Sequence, residues 1–388
     1  MVIIFWITGI LSFIYLAYPL LLWLPGRLRN IENPSERSPD SATILLLTFN
    51  GGKTVGDKIA FLMEELKTVN NGELIIIDDN SSDETKEAIE KFRNIPGIRI
   101  ILKNKQSGIP HSMNLGTKLA GHEIMVFCDQ RQELLPGSLK RILAPFANPE
   151  IGAVSGCISH VDKANCKSVA RIHENYIKTG ESRIGGLMGV YGPLYAIRKA
   201  NFSPIPENII LDDLYLSLKI LQNKKIVLVK NCAIIDEKFS KLYDYQRARR
   251  YLAGLLQILA DRPLLRNLAP GKLLMLLLHK YLRLVIVGFL FLAYAASGLM
   301  ADAGNEYLAV FIVMSLLGIA VVAQRLLKFR SGFLDVIRIN FYYLTAVAGL
   351  FMQGFRNLVP ANPKTSSQHA TGKAMLSNVP TDKSHQSL

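Results

Sequence analysis

The 388-residue chain predicts an α/β domain with a largely parallel sheet, held between apolar segments long enough to cross a bilayer. Three observations carry this. Apolar runs with little or no charge sit near both ends, at about 3–24, 284–300, 307–323 and 337–354, and an ordinary globular mixture lies between them. In that middle part, short apolar runs of strand length alternate with apolar residues at helical spacing. Several of these runs stop abruptly at carboxylates: Ile75-Ile76-Ile77 at Asp78-Asp79, Phe127-Cys128 at Asp129, and Ile209-Ile210-Leu211 at Asp212-Asp213. A strand buried on both faces of a parallel sheet is apolar without alternation, and ligands of open α/β sheets bind beyond the carboxyl ends of such strands.

Residues 1–26 read as a retained transmembrane anchor with its N-terminus outside. Trp6 and Trp23 lie near its ends and Arg27 and Arg29 follow it, whereas a signal peptide carries its charges before the apolar run and a cleavage site after it. Residues 27–41 form a polar linker punctuated by Pro34 and Pro39, and 42–240 the soluble domain. Its first strand, 43–49, runs into Asn50-Gly51-Gly52-Lys53-Thr54. This turn looks like part of a phosphate loop but has Leu47 where that motif needs its first glycine. A helix over 59–69 follows, then the strand 74–77 that empties into Asp78-Asp79-Asn80-Ser81-Ser82-Asp83, with Ser82 or Asp83 capping a helix to about 92.

A strand at 98–102 and a helix at 112–120 repeat the unit, and the fourth strand, 123–128, ends in Asp129-Gln130-Arg131. Two acidic strand ends in successive parallel units make a crevice that repels phosphates unless a divalent cation or a basic group such as Arg131 intervenes. The glycine-dense stretch 185–193 suits either close backbone contact with a ligand or a plain loop. Asp212-Asp213 opens a helix over 214–221, where acids are favoured electrostatically. The functional alternative is a general base, since a carboxylate beside another, partly desolvated, has its proton affinity raised.

Residues 241–283 hold a basic amphipathic helix, with Arg247, Arg249 and Arg250 among Tyr251, Leu252, Leu255 and Leu259, expected to lie on the membrane surface or to reach a diphosphate. Three transmembrane helices are expected within 284–356, and 357–388 is a polar tail without apolar periodicity. Basic flanks around 279–283 and 325–330 and an acidic loop at 301–306 put the soluble domain in the cytoplasm. The net charge of +14 suits anionic lipid or phosphorylated substrates, and the basic residues cluster beside apolar runs, which argues against DNA or RNA. Cys128, Cys157, Cys166 and Cys232 show no paired spacing and read as free thiols of a reducing compartment.

The order of these features resembles the membrane-bound family 2 glycosyltransferases of GT-A fold, which include the cellulose, chitin and hyaluronan synthases. Thr48-Phe49-Asn50 is similar to the opening nucleotide-binding turn, and the run from Asp78 to Asp83 to the acidic motif that holds the nucleoside. Ser112-Met113-Asn114 resembles the end of a Gly-Lys-x-x-Ala-Leu-Asn segment, with Ile109 in place of lysine and Lys103 and Lys105 nearby. Asp129-Gln130-Arg131 stands at the Asp-x-Asp metal and diphosphate motif, with Arg131 replacing its second acid, and Leu135-Pro136-Gly137-Ser138-Leu139 continues as the family does. Leu211-Asp212-Asp213 stands at the Thr-Glu-Asp motif, which makes Asp213 the matching base. Counting back from Gly254 puts Arg247, Arg250 and Tyr251 at the Gln, Arg and Trp of Gln-x-x-Arg-Trp; counting from Gln246 gives Arg249 and Arg250 instead.

The resemblance implies an integral membrane enzyme that moves a sugar, with inversion, from a nucleotide-sugar, a UDP-sugar being the expected donor, to a polysaccharide or lipid-linked acceptor. It further implies that Thr48, Asn50, Asp78, Asp79 and Lys105 bind the nucleotide. Asp213 with Asp212 performs catalysis, Arg131, Arg247, Arg250 and Tyr251 hold the diphosphate and acceptor, and Asp129 holds Mg²⁺ or Mn²⁺. So few membrane segments are too few for an independent pore, and export then needs a partner or a second copy. A nucleotide-sugar sensor without turnover, or an anchored phosphate-loop ATPase using Lys53, are the rival expectations.

Overall fold

In the computed structural model, the described residues are 2–26, 39–52, 54–161, 168–235 and 245–327, with scattered positions between 334 and 345. The linker, Lys53, Cys166, residues 236–244, most of the span expected at 337–354, and the tail fall outside them.

The first helix, α1 (Val2–Gly26), precedes a βα succession: β1 (Ser41–Thr48), α2 (Thr54–Leu66), β2 (Asn71–Asp78), α3 (Thr85–Glu90), β3 (Ile98–Leu102), α4 (Ile109–Leu119) and β4 (Ile124–Asp129). The second half runs β5 (Glu133–Leu134), α5 (Ser138–Leu143), β6 (Ile151–Ile158), α6 (Val169–Arg183), β7 (Leu194–Arg198), α7 (Asp212–Leu221) and β8 (Lys225–Ile235). Helices α8 (Tyr245–Ala260), α9 (Arg262–Arg266), α10 (Pro270–Leu276), a π-helical turn (Leu277–Tyr281), α11 (Leu282–Leu299) and α12 (Asn305–Leu327) follow.

Among the described residues the strands form one sheet in the order β3-β2-β1-β4-β7-β6-β8-β5. β1 through β4 pair in parallel, and the apolar runs Ala42–Leu46, Leu74–Ile77 and Ile124–Cys128 are buried, as a sheet covered on both faces requires. Register then decides the site: Thr48 pairs with Asp78 and Leu47 with Asp129, so both acidic strand ends emerge at one edge. Beyond β4 the sheet turns mixed, with β7 antiparallel to both β4 and β6. The family-like 135–139 stretch ends at α5, whose first amides are capped by a buried acid from α2: Gly137 and Leu139 donate to the Glu65 carboxylate at 2.6 and 2.8 Å.

Among the described residues, three helices are long and apolar enough to cross a membrane: Ile3–Leu22, Pro270–Leu299 and Asn305–Gln324. The second continues through α10 and the π turn, well before the expected start near 284. Most of the apolar stripe of α8 packs on the domain, with Leu252, Leu255 and Ile258 buried, while Leu259 is exposed. A Cβ added at Gly254 would come 2.4 Å from Leu211 Cγ, so only glycine lets the helix approach that closely. Gln257 accepts the Ile210 N–H at 3.0 Å and donates to Asn208 O at 2.8 Å, which clamps α8 onto the segment leading into Asp212.

Candidate active site

At the β1–β2 edge the two acids are fully engaged inside the protein. Asp78 has no exposed surface; it accepts the Ser81 N–H at 2.9 Å, the Ser81 hydroxyl, and the Thr48 hydroxyl at 3.2 Å. Asp79 accepts Ser107 N–H at 2.9 Å and Gly108 N–H at 2.8 Å at the start of α4, together with the Lys103 ammonium. Asn50 sits at φ 49°, a left-handed conformation that asparagine tolerates. It accepts the Ser82 N–H at 2.9 Å and donates its own N–H to Ser81 Oγ at 2.9 Å. Thr48, Asn50, Asp78 and Asp79 are thus brought together as one cross-linked edge, while Lys105 is exposed. The same edge removes the phosphate-loop geometry. Gly52 N–H donates to Asp83 Oδ2 and Thr85 Oγ1, both at 2.9 Å, and Gly51 N–H to Thr85 Oγ1 at 2.8 Å. The amides a phosphate needs already face side-chain oxygens, one of them anionic.

The second edge is built differently. Asp129 donates its N–H to Pro193 O at 3.0 Å, and Gly192, next in the chain, has its Cβ position 3.5 Å from Asp213 Oδ2. The loop 185–193 therefore bridges the end of β4 to the first turn of α7, two segments about eighty residues apart in sequence. Burial and the neighbouring Asp213 carboxylate push Asp212 up to about 7, against the opposing pull of the Arg250 guanidinium from α8. Tyr195, buried beside both acids and stacked on Phe127 at 4.9 Å, supplies the low-polarity wall. Asp212 can therefore carry a proton near neutral pH beside the Asp213 carboxylate. Arg250 joins them; Arg247 is exposed and Tyr251 is half-buried against the core.

Asp129, the expected metal ligand, already has an internal cation: Arg131 places Nη2 3.1 Å from Oδ2 and its N–H 3.1 Å from Oδ1. A hard divalent ion needs several oxygen ligands, and among the described residues no three His, Cys, Asp or Glu side chains converge. The described residues alone do not complete such a site; Asp129, beside Arg131, is what they offer a cation. Sequence reasoning missed α6 entirely, and with it Lys178, which is buried within electrostatic reach of Asp213. The available signal was Glu174, Lys178 and Glu181 at helical spacing after Ser168, whose side chain caps the helix at Arg171 N.

Residues 43–200 match the model of glycosyl transferase family 2. The poly-β-1,6-N-acetyl-D-glucosamine synthase of Staphylococcus epidermidis is 26% identical over 157 residues, 39% of this chain and 36% of that protein. Human polypeptide N-acetylgalactosaminyltransferase 15 is 24% identical over 133 residues, 34% of this chain and 21% of that protein. The match thus spans well under half the length of either relative. A mannosyltransferase from Pyrobaculum calidifontis, solved in complex with GDP-Man and Mn²⁺, has the same fold, with a TM-score of 0.68 at 18% identity over 88% of this chain and 97% of that one. The part of the chain that begins at β1, with its GT-A arrangement of strands and its acidic edge, is thus similar to glycosyl transferase family 2 over residues 43–200.

Proposed function

We propose that the protein is a membrane-embedded inverting transferase that moves a sugar from a nucleoside-diphosphate donor to a glycan or lipid-linked acceptor at the cytoplasmic face. One observation carries this reading: the Asp212–Asp213 pair, with an acid raised to about 7, stands against the loop that also holds Asp129. Asp213 takes the proton from an acceptor hydroxyl as that oxygen attacks the anomeric carbon. The bond from that carbon to the diphosphate oxygen breaks on the opposite face, and the nucleoside diphosphate leaves with the electron pair. Arg131 and Arg250 stabilise the departing charge, sharing the task with any divalent ion held at Asp129. Asp78 shapes the nucleoside pocket from beneath, while Asp79, Asn50 and Lys105 line its rim. Helices with the length and apolarity to cross a bilayer favour an acceptor that stays at the membrane. The names of the relatives make N-acetylhexosamine donors the first to try, with GDP-mannose beside them.

The test is nucleoside diphosphate release by the purified full chain across UDP-sugars and GDP-mannose, with and without Mn²⁺, for the native protein and Asp213→Asn. Release by the native protein alone, with one donor, supports the transferase. Tight nucleotide binding with no release from any donor supports a sensor instead.

A further inference from the structure

Helix α6 stands between the apolar helices and the loop 185–193. On its outer side α1 lies directly against it: a Cβ at Gly180 would come 2.8 Å from Leu22 Cβ, and the rings of Tyr15 and His173 are 5.2 Å apart. Tyr18 donates its hydroxyl to Glu181 Oε1 at 2.9 Å, and His279 of the π turn sets Nδ1 2.7 Å from the same oxygen. The other His279 nitrogen is 3.2 Å from Glu174 Oε2, and Lys280 donates to Glu174 Oε1 at 3.2 Å. On the inner side, Glu181 Oε2 accepts the Met188 N–H at 3.0 Å. Lys178, one turn away, donates to Gly189 O and lies 3.9 Å from the centroid of the Tyr191 ring. Ser217 and Ser155 accept the next two amides, those of Val190 and Tyr191, at 3.1 and 2.8 Å. The loop then reaches Gly192, whose Cβ position is 3.5 Å from Asp213 Oδ2, and Pro193, whose carbonyl accepts the Asp129 N–H.

Glu181 is wholly buried and Lys178 nearly so. Buried charges of this kind contribute little net stability compared with apolar packing, but each fixes the groups around it in one arrangement. Here both charges face the loop, and Glu181 also faces two apolar helices. We propose that Glu181 and Lys178 are positioning residues that pass the seating of α1 and the π turn on α6 into the loop 185–193, so that the apolar helices set where Asp213 stands relative to Asp129. The kinetic consequence rests on the transferase reading; the structural one does not.

Hydrogen exchange of the full chain in lipid nanodiscs tests it. Tyr18→Phe removes one hydroxyl from α1 and touches no residue of the sheet. The amides of Met188, Gly189 and Val190 are expected to exchange ~10-fold faster, with β1 and β2 unchanged, and Glu181→Gln, which loses the acceptor for Met188, is expected to exceed this. Unchanged loop exchange in both variants, or an equal rise in β1 and β2, overturns the proposal.

A pH profile separates positioning from mere packing. Lys178 faces Glu174 and Glu181 on its own helix, Lys280 from the π turn, Asp213 from α7, and Cys157 and Tyr191 on the sheet side. Burial and Lys280 lower it to about 8, and its ammonium lies within electrostatic reach of Asp213. Lys178→Met is expected to move the acid limb of kcat/KM upward by about one pH unit, and Lys178→Arg to bring it back. A limb that stays in place in Lys178→Met overturns the role assigned to Lys178. If the native protein releases no nucleoside diphosphate from any donor, the transferase reading fails, and the exchange measurement still decides the coupling.

Discussion

Ile75-Ile76-Ile77-Asp78-Asp79 and Ile209-Ile210-Leu211-Asp212-Asp213 are nearly the same sequence with opposite fates. In the first, the run is a central strand and both acids are consumed by internal donors: Ser81, Thr48, Lys103 and the amides opening α4. In the second, the run is a half-buried segment clamped by α8, and the acids are consecutive residues in the first turn of α7 with Arg250 as the charge opposing Asp212. A carboxylate surrounded by donors keeps its charge and acts as structure; a carboxylate beside another carboxylate has proton affinity to use. The motif is the same, and the packing opposite it assigns the role.

The largest effect that contrast predicts is on catalysis. Asp213→Asn should lower nucleoside diphosphate release by about 10³-fold while leaving nucleotide affinity within about a factor of two, because general-base catalysis is worth 10²–10⁴-fold. Loss of binding instead would make Asp213 a nucleoside contact and erase the distinction between the two edges. Arg131→Ala should cost about 10²-fold in kcat, the scale seen when one preorganised donor to a developing anion is removed. Arg131→Asp, which restores an Asp-x-Asp spacing, should make turnover depend on added Mn²⁺; full rescue of Arg131→Ala by Mn²⁺ would show that the guanidinium was never the substitute.

On the structural edge the readout is stability. Lys103→Met leaves the Asp79 carboxylate without its ammonium partner in a buried setting and should cost about 3 kcal/mol in denaturant unfolding of the domain. A loss of turnover at unchanged stability would show that the Lys103–Asp79 pair serves the nucleoside pocket and not the fold. The smallest effect is a pH shift. With Asp212 raised to about 7, kcat/KM should fall as pH drops through that value, since Asp212 then gains a proton and loses the negative charge beside the base. Arg250→Gln removes the charge that opposes this shift, and should raise the acid limb by about one unit. An unmoved limb would detach α8 from the catalytic pair.

Much of the fold was legible because its signals are local. The unbroken apolar runs of β1, β2 and β4 named buried parallel strands, and the acids at their ends named the edge. The mixed second half was not legible. β6 and β8 pair in parallel with bulges, and their order around β7 comes from contacts far apart in the chain. Helix α6 was hidden for a different reason: a stripe of Glu174, Lys178 and Glu181 reads as a solvated face, and only partners from α1, the π turn and the loop 185–193 allow it to be buried. The stripe of α8 is the converse case, since an apolar face says that it will be covered and not by what.

The sequence by itself determined which residues lie at strand ends, which segments are apolar enough to cross a membrane, and that Arg131 stands where a second acid is expected. Periodicity, charge and residue type are properties of neighbours along the chain. Tertiary structure alone decided that Asp78 and Asp79 are enclosed, that Asp212 is raised while Arg250 opposes it, and that Glu181 and Lys178 join the apolar helices to the loop beside Asp213. Proton affinity and the cost of burial depend on which charges and donors face a group across space, and those partners come from elements as far apart as Tyr18 and His279.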